Sequence, residues 1–155
     1  MATFVGTYLN KVDSKGRVSV PARFRDAVAG QGYRGVVVAP SRELGAIDAC
    51  DYDRITEVAA ALDDPELYTA EQRLQAEDIL ARSVELPFDD GGRILVPQDM
   101  LKQAAIEGQA LFIGIGQTFQ IWNPDRRRLY DARTAAGPAG GASLRLLPKL
   151  RRGRP

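Results

Sequence analysis

Two short clusters carry the side chains most able to do chemistry. Asp13-Ser14-Lys15-Gly16-Arg17 and Asp89-Asp90-Gly91-Gly92-Arg93 set a carboxylate, a glycine turn and an arginine at matching offsets, and each continues into Val-Pro, at Val20-Pro21 and Val96-Pro97. A guanidinium is a planar fork of donors that grips a phosphate or the O6 and N7 edge of guanine, whereas lysine neutralises phosphate as a point charge. Lys15, Gly16 and Arg17 therefore read as a cationic hairpin tip that a nucleic-acid backbone can approach closely, with Lys11, Arg23 and Arg25 in support. Carboxylates repel phosphate, so Asp13 and Asp89 are expected to bond turn amides or to hold the arginine of their own motif. A plain turn clamp with no ligand is the competing reading of both frames, Asp13 with Arg17 and Asp89 with Arg93, and it weighs more for Arg93.

The copies differ in charge. The second has Asp90 for the serine, Gly91 for the lysine, and only Arg93 and Lys102 as nearby cations. The expectation is that the first copy contacts a polyanion, while the second completes the fold and packs neighbours.

Other chemistries are disfavoured by composition. The 155 residues include no histidine and one cysteine, Cys50. This removes His- or Cys-based metal cages, internal disulfides and nucleophile–histidine pairs. The adjacent carboxylates Asp89 and Asp90 would point apart in a strand or turn, with no basic partner for acid–base work. No enzyme activity, cofactor, metal or small-molecule substrate is expected. No apolar run approaches the roughly 20 residues of a membrane helix. The start of the chain lacks the build of a signal peptide, so a cytoplasmic location is expected.

A net charge of +1 hides a separation into zones. Residues 1–50 hold 7 Lys/Arg against 4 Asp/Glu, residues 51–90 hold 3 against 12, and residues 91–155 hold 11 against 4. Two basic zones flank an acidic middle. A polyanion suits the former; the latter reads as the solvated face of a helical pair or as an assembly surface for Arg126-Arg127-Arg128.

The elements that must position the clusters follow from periodicity. Residues 3–9 read as a strand, Asn10–Gly16 as a turn, and Arg17–Val20 as an alternating strand with Val18 and Val20 on one face. Pro21 suits the first position of a helix, where its missing N–H costs nothing, and Gly30 stops that helix. Strands at 35–39 and 45–50 follow. Asp53 is expected to cap a helix striped by Ile55, Val58, Ala59 and Leu62, and Thr69 with Gln72 predicts a capping box opening a second helix to about Arg82. The order then repeats: strand 83–88, turn 91–92, strand 93–96, helix 97–105, strands 110–115 and 118–122, and a last helix from Asn123-Pro124 to about Arg133. Trp122 reads as core. Residues 135–143 are Gly/Ala/Pro-rich and read as a linker. The tail from Leu144, with Arg145, Lys149, Arg151, Arg152 and Arg154, is expected to be disordered and to offer sequence-independent phosphate contacts.

On these residues the resemblance becomes specific. Each copy resembles the swapped-hairpin unit of AbrB-type DNA-binding domains. Two Asp-x-x-x-Arg frames separated by a helical pair, matching from about residue 4 to 133, resemble the MraZ family of bacterial transcriptional regulators. The resemblance implies an α+β fold: a duplicated swapped-hairpin, pseudo-twofold β-barrel with a helical pair between the repeats and a C-terminal helix. It implies one domain over 1–134, built from repeats 7–54 and 83–126 joined by helices 55–82. It further implies double-stranded DNA as partner, at G-rich direct repeats in the promoter of the division and cell-wall gene cluster. Self-assembly into a homo-oligomeric ring and association with the nucleoid go with it. A rival reading is an antitoxin-like or protein-interaction module on the same barrel.

Overall fold

The computed structural model describes residues 2–135 and 144–148. The chain divides into two compact units, Met1–Pro124 and Asp125–Pro155. In the first, the elements are β1 (Thr7–Lys11), β2 (Arg17–Ser19), α1 (Ala22–Val28), β3 (Gly35–Ser41), β4 (Ala46–Cys50), α2 (Tyr52–Leu62), α3 (Ala70–Arg82), β5 (Val84–Pro87), β6 (Arg93–Leu95), α4 (Gln98–Gln103), β7 (Gln109–Gly114) and β8 (Phe119–Trp122). The fold is α+β with antiparallel pairing throughout.

Six strands form one sheet in the order β1-β7-β8-β4-β3-β5, and β2 pairs separately with β6. Exchanging the equivalent strands of the two halves, β1 with β5, β7 with β3 and β8 with β4, returns the same order. The expected closed barrel is not formed. The sheet is open, with β1 and β5 at its edges, because the three-residue strands β2 and β6 spend their backbone bonds on each other. Closure would require a partner along each edge strand. A β-bridge, Val12 to Val18, ties the β2–β6 ribbon to the end of β1.

The core lies between sheet and ribbon. Val18, Val20, Ile94 and Val96 are each 1% exposed and carry the inner face of the ribbon. Beneath them sits an aromatic cluster centred on Phe119, whose ring centroid lies 4.9 Å from Phe4, 4.9 Å from Phe24 and 6.1 Å from Phe112. Phe24 reaches it because α1 places Phe24 and Val28, four residues apart, on one buried stripe. Trp122 is core as expected; its indole Nε1 donates to Gln120 Oε1 at 2.9 Å, so the buried N–H is satisfied.

Several local expectations shift. Residues 3–9 do not form one strand: Gly6 takes φ +96°, Phe4 bridges to Gly116, and β1 starts only at Thr7. Pro21 and Pro97 sit one position earlier than expected, as N-caps with extended ψ (137° and 140°). Asp51, not Asp53, caps α2. Its Oδ1 accepts from Arg54 N at 3.0 Å while Oδ2 accepts from Gln31 Nε2 at 2.7 Å, which satisfies a carboxylate only 2% exposed. Asp53 falls in the first turn, where a negative charge still complements the helix dipole. The Thr69–Gln72 capping box of α3 forms as expected.

Helix α5 (Pro124–Ala135), which lies in the second unit from Asp125 on, pairs its own charges, Arg127 Nε with Asp131 Oδ1 at 2.7 Å and Arg128 Nη2 with Asp125 Oδ1 at 2.6 Å. A single 3-10 turn covers Leu144–Leu146. The rest of the expected linker and tail, including Lys149, Arg151, Arg152 and Arg154, lies outside the described residues.

Phe119 touches three other rings and is 0% exposed, so Phe119→Ala should cost about 3–5 kcal/mol. A denaturant titration followed by far-UV circular dichroism checks this.

Candidate nucleic-acid interface

The two motif turns are built alike. Asp13 Oδ1 accepts from the N–H of Lys15 at 3.0 Å and of Arg17 at 2.8 Å, and its Oδ2 accepts from Arg17 Nε at 2.7 Å. Asp89 Oδ1 accepts from Gly91 N at 2.8 Å and Arg93 N at 2.9 Å, and its Oδ2 from Arg93 Nε at 2.9 Å. Both carboxylates thus do the two jobs foreseen as alternatives: they bond the turn amides and hold the motif arginine. Gly16 and Gly92 take φ of +92° and +75°. A Cβ on Gly16 would also stand 2.7 Å from the carbonyl oxygen of Val96, so close approach and backbone sign both select glycine.

Pairing of β2 with β6 brings the copies together. Arg17 lies opposite Leu95, Val18 opposite Ile94, and Ser19 opposite Arg93. With Val18 and Ile94 turned inward, alternation puts Arg17, Ser19, Arg93 and Leu95 on the outward face. Arg17 and Arg93 are then diagonal neighbours, ~7–8 Å apart across the ribbon. The exchange is reciprocal: Val20 N donates to the Gly92 carbonyl at 3.2 Å, and Val96 N to that of Gly16 at 3.0 Å.

The clamp decides which donors remain. Nε of each motif arginine is spent on its aspartate, while among the described residues Nη1 and Nη2 of Arg17 and Arg93 have no partner. Each guanidinium is therefore fixed at one edge and open at the other, the edge that matches guanine O6/N7 or two phosphate oxygens. Lys11 and Lys15 are exposed, as is Arg23 on α1, and among the described residues none of the three forms an ion pair.

Arg25 goes elsewhere. Its Nε donates to the Val20 carbonyl at 3.1 Å and its guanidinium covers Gly92, where a Cβ would lie 2.7 Å from Cζ. It braces the second turn and adds there the cation that Asp90 and Gly91 fail to supply. Asn10 braces the ribbon from β1 through Nδ2 to the Ser19 carbonyl at 2.7 Å. Sequence reasoning missed Asn10, Ser19 and Leu95, and missed that Arg93 shares a face with Arg17. Alternation within each copy held that signal, but only the pairing of one copy with the other brings it out.

Acid–base chemistry does not suit the site. The N–H of Arg17 holds the Asp13 carboxyl below its ordinary value despite some opposing desolvation, and the N–H of Arg93 does the same for Asp89. Both stay ionised near neutral pH. Cys50 is buried, and burial pushes its thiol up to about 12, so it is not a thiolate nucleophile. Beside the second turn, a 350 Å³ depression is lined by Arg25 and Arg34 together with Asp89 and Asp90, which leaves no single sign to concentrate a ligand. Among the described residues no group of three His, Cys, Asp or Glu is arranged to hold a metal ion, and no helix is long and apolar enough to cross a membrane.

The sequence is similar to those of known proteins. Residues 79–138 match the family described as "MraZ protein, putative antitoxin-like". A protein of Rhodospirillum rubrum called transcriptional regulator MraZ is 44% identical over 149 residues, spanning 92% of this chain and 95% of that relative. The chain belongs to the MraZ family. Relatives of the same name from Pelagibacter ubique (46% over 121 residues, 78% of either chain) and Rickettsia akari (37% over 124 residues, 80% and 83%) agree. The alignment to the Rhodospirillum MraZ spans nearly the whole chain, so family membership does not rest on the second copy alone.

The clamp has a pH signature. Asp13 favours the folded turn fully above about 3.8, its ordinary value, and that contribution is lost as pH falls through its lower folded value. In carboxyl NMR titrations Asp13 should therefore show a midpoint below 3.8. Arg17→Ala should raise the midpoint only partway, because the backbone N–H of residue 17 is retained; a full return to 3.8 would contradict the bonding described.

Proposed function

We propose that this MraZ-family chain is a DNA-binding transcriptional regulator whose reading surface is the outward face of the β2–β6 ribbon. One observation carries the proposal: Arg17 and Arg93 lie diagonally across one outward face of a two-stranded ribbon, each clamped through Nε with Nη1 and Nη2 open. A two-stranded ribbon fits the major groove of B-form DNA, and an arginine fork presented end-on matches guanine. Lys15 and Lys11 supply phosphate contacts, and the names of the relatives support the regulatory role.

The fold is a duplicated swapped hairpin; in support, β1 pairs with β7 and β5 with β3, strands of opposite halves. The target is a set of short G-rich direct repeats in the promoter of the division and cell-wall gene cluster. The regulator represses from there as a closed ring of copies, in the cytoplasm on the nucleoid. The first turn contributes more than the second, since it has Lys15 and Ser14 where the second has Gly91 and Asp90.

Titration of a promoter fragment bearing such repeats, against a scrambled fragment at two salt concentrations, tests this. Repeat-dependent binding that weakens steeply with salt is expected. Arg17→Ala should weaken it by about 5- to 150-fold, the range of a bidentate base contact, and Arg93→Ala by less. Equal losses would remove the asymmetry between the turns. Sequence-indifferent binding at both salts would overturn the regulator reading and favour the protein-interaction alternative, which the antitoxin-like family description supports.

A further inference from the structure

The four outward side chains of the ribbon break its symmetry at one position. Arg17 and Arg93 are equivalent in the two copies, but Ser19 corresponds to Leu95. Leu95 is 56% exposed, lies directly opposite Arg17, and belongs to a strand whose inner residue, Ile94, is already fully used in the core. It stabilises nothing inward. Its neighbours on that face are two aspartate-paired guanidiniums with open Nη groups and a serine, a setting of oriented hydrogen-bond donors that suits the acceptor-rich edges of a nucleic acid better than an apolar protein surface.

We propose that Leu95 is a specificity-determining residue that contacts the C5-methyl group of a thymine next to the base held by Arg17. This rests on the ribbon being the DNA-reading surface. In the major groove the methyl of thymine is the one apolar feature of the base edges, and an aliphatic side chain beside an arginine fork can recognise a thymine adjoining a guanine. The other directly opposed pair, Arg93 with Ser19, carries a hydroxyl instead and has no such preference. The ribbon therefore reads its site in one orientation: a pseudo-twofold protein element matched to a non-palindromic sequence.

The test replaces thymine by deoxyuridine throughout the promoter repeats, which deletes only the methyl groups and keeps base pairing. The full-length protein should bind the uracil fragment about fourfold more weakly for each methyl contacted, the effect of one methyl-sized group withdrawn from water. Leu95→Ala should bind both fragments alike, at the level the parent shows on uracil DNA, with an unchanged thermal melt. Parent binding that ignores the substitution, or discrimination that survives in Leu95→Ala, overturns the proposal. So does a change in the mass of the Leu95→Ala assembly by light scattering with equal loss on both fragments, which would make Leu95 a contact between copies. Failure of the underlying reading looks different: the parent would then bind repeats and scrambled DNA equally.

Discussion

The outward face of this molecule depends on a bond that each motif arginine makes to its own chain. An arginine free in solution samples many rotamers, and fixing it on a ligand costs much of that freedom. Here Nε is already held at 2.7 Å by Asp13 and at 2.9 Å by Asp89, and the same carboxylates hold the turns that carry the backbone. The guanidinium is oriented before anything binds, so less ordering remains for binding to oppose. Exposed ion pairs add little stability in general, and Asp13 and Arg17 are each more than a third exposed. Their contribution is to geometry.

Beneath that clamp lies an apolar constraint. Val18 and Ile94 face each other at the centre of the ribbon and are buried against the aromatic cluster. A three-residue strand has too few backbone bonds to fix its own register. The inward valine and isoleucine do so, since a slip by one residue would set Arg17 on the face of Ile94 or Arg93 on that of Val18, turning one arginine toward the core.

What was legible in the sequence was local. The Asp–Gly–Arg frame, the capping box at Thr69 and the buried character of Trp122 follow from neighbours within a few positions. The cap at Asp51 was missed because its second oxygen is satisfied by Gln31, twenty residues away. The closed barrel was wrong for a similar reason: strand types can be read from alternation, but whether β2 joins a sheet edge or another ribbon strand is settled by long-range packing. Arg93 looked secondary when judged by its own neighbours, Asp90 and Gly91. Across the ribbon it lies diagonal to Arg17 on the same face, with Arg25 covering the glycine of its turn.

The interleaved strand order has a consequence for how the protein is made. Thr7 pairs with Ile113 and Gly35 with Pro87, so each half holds strands whose partners are in the other half. Such contacts give a high contact order, and folding that awaits them is slow. On the ribosome β1 emerges early and stays unpaired until β7 has been synthesised. During that interval the N-terminal half displays an open strand edge, and a neighbouring nascent chain displays the matching one. Two chains translated close together can satisfy one another by exchanging halves.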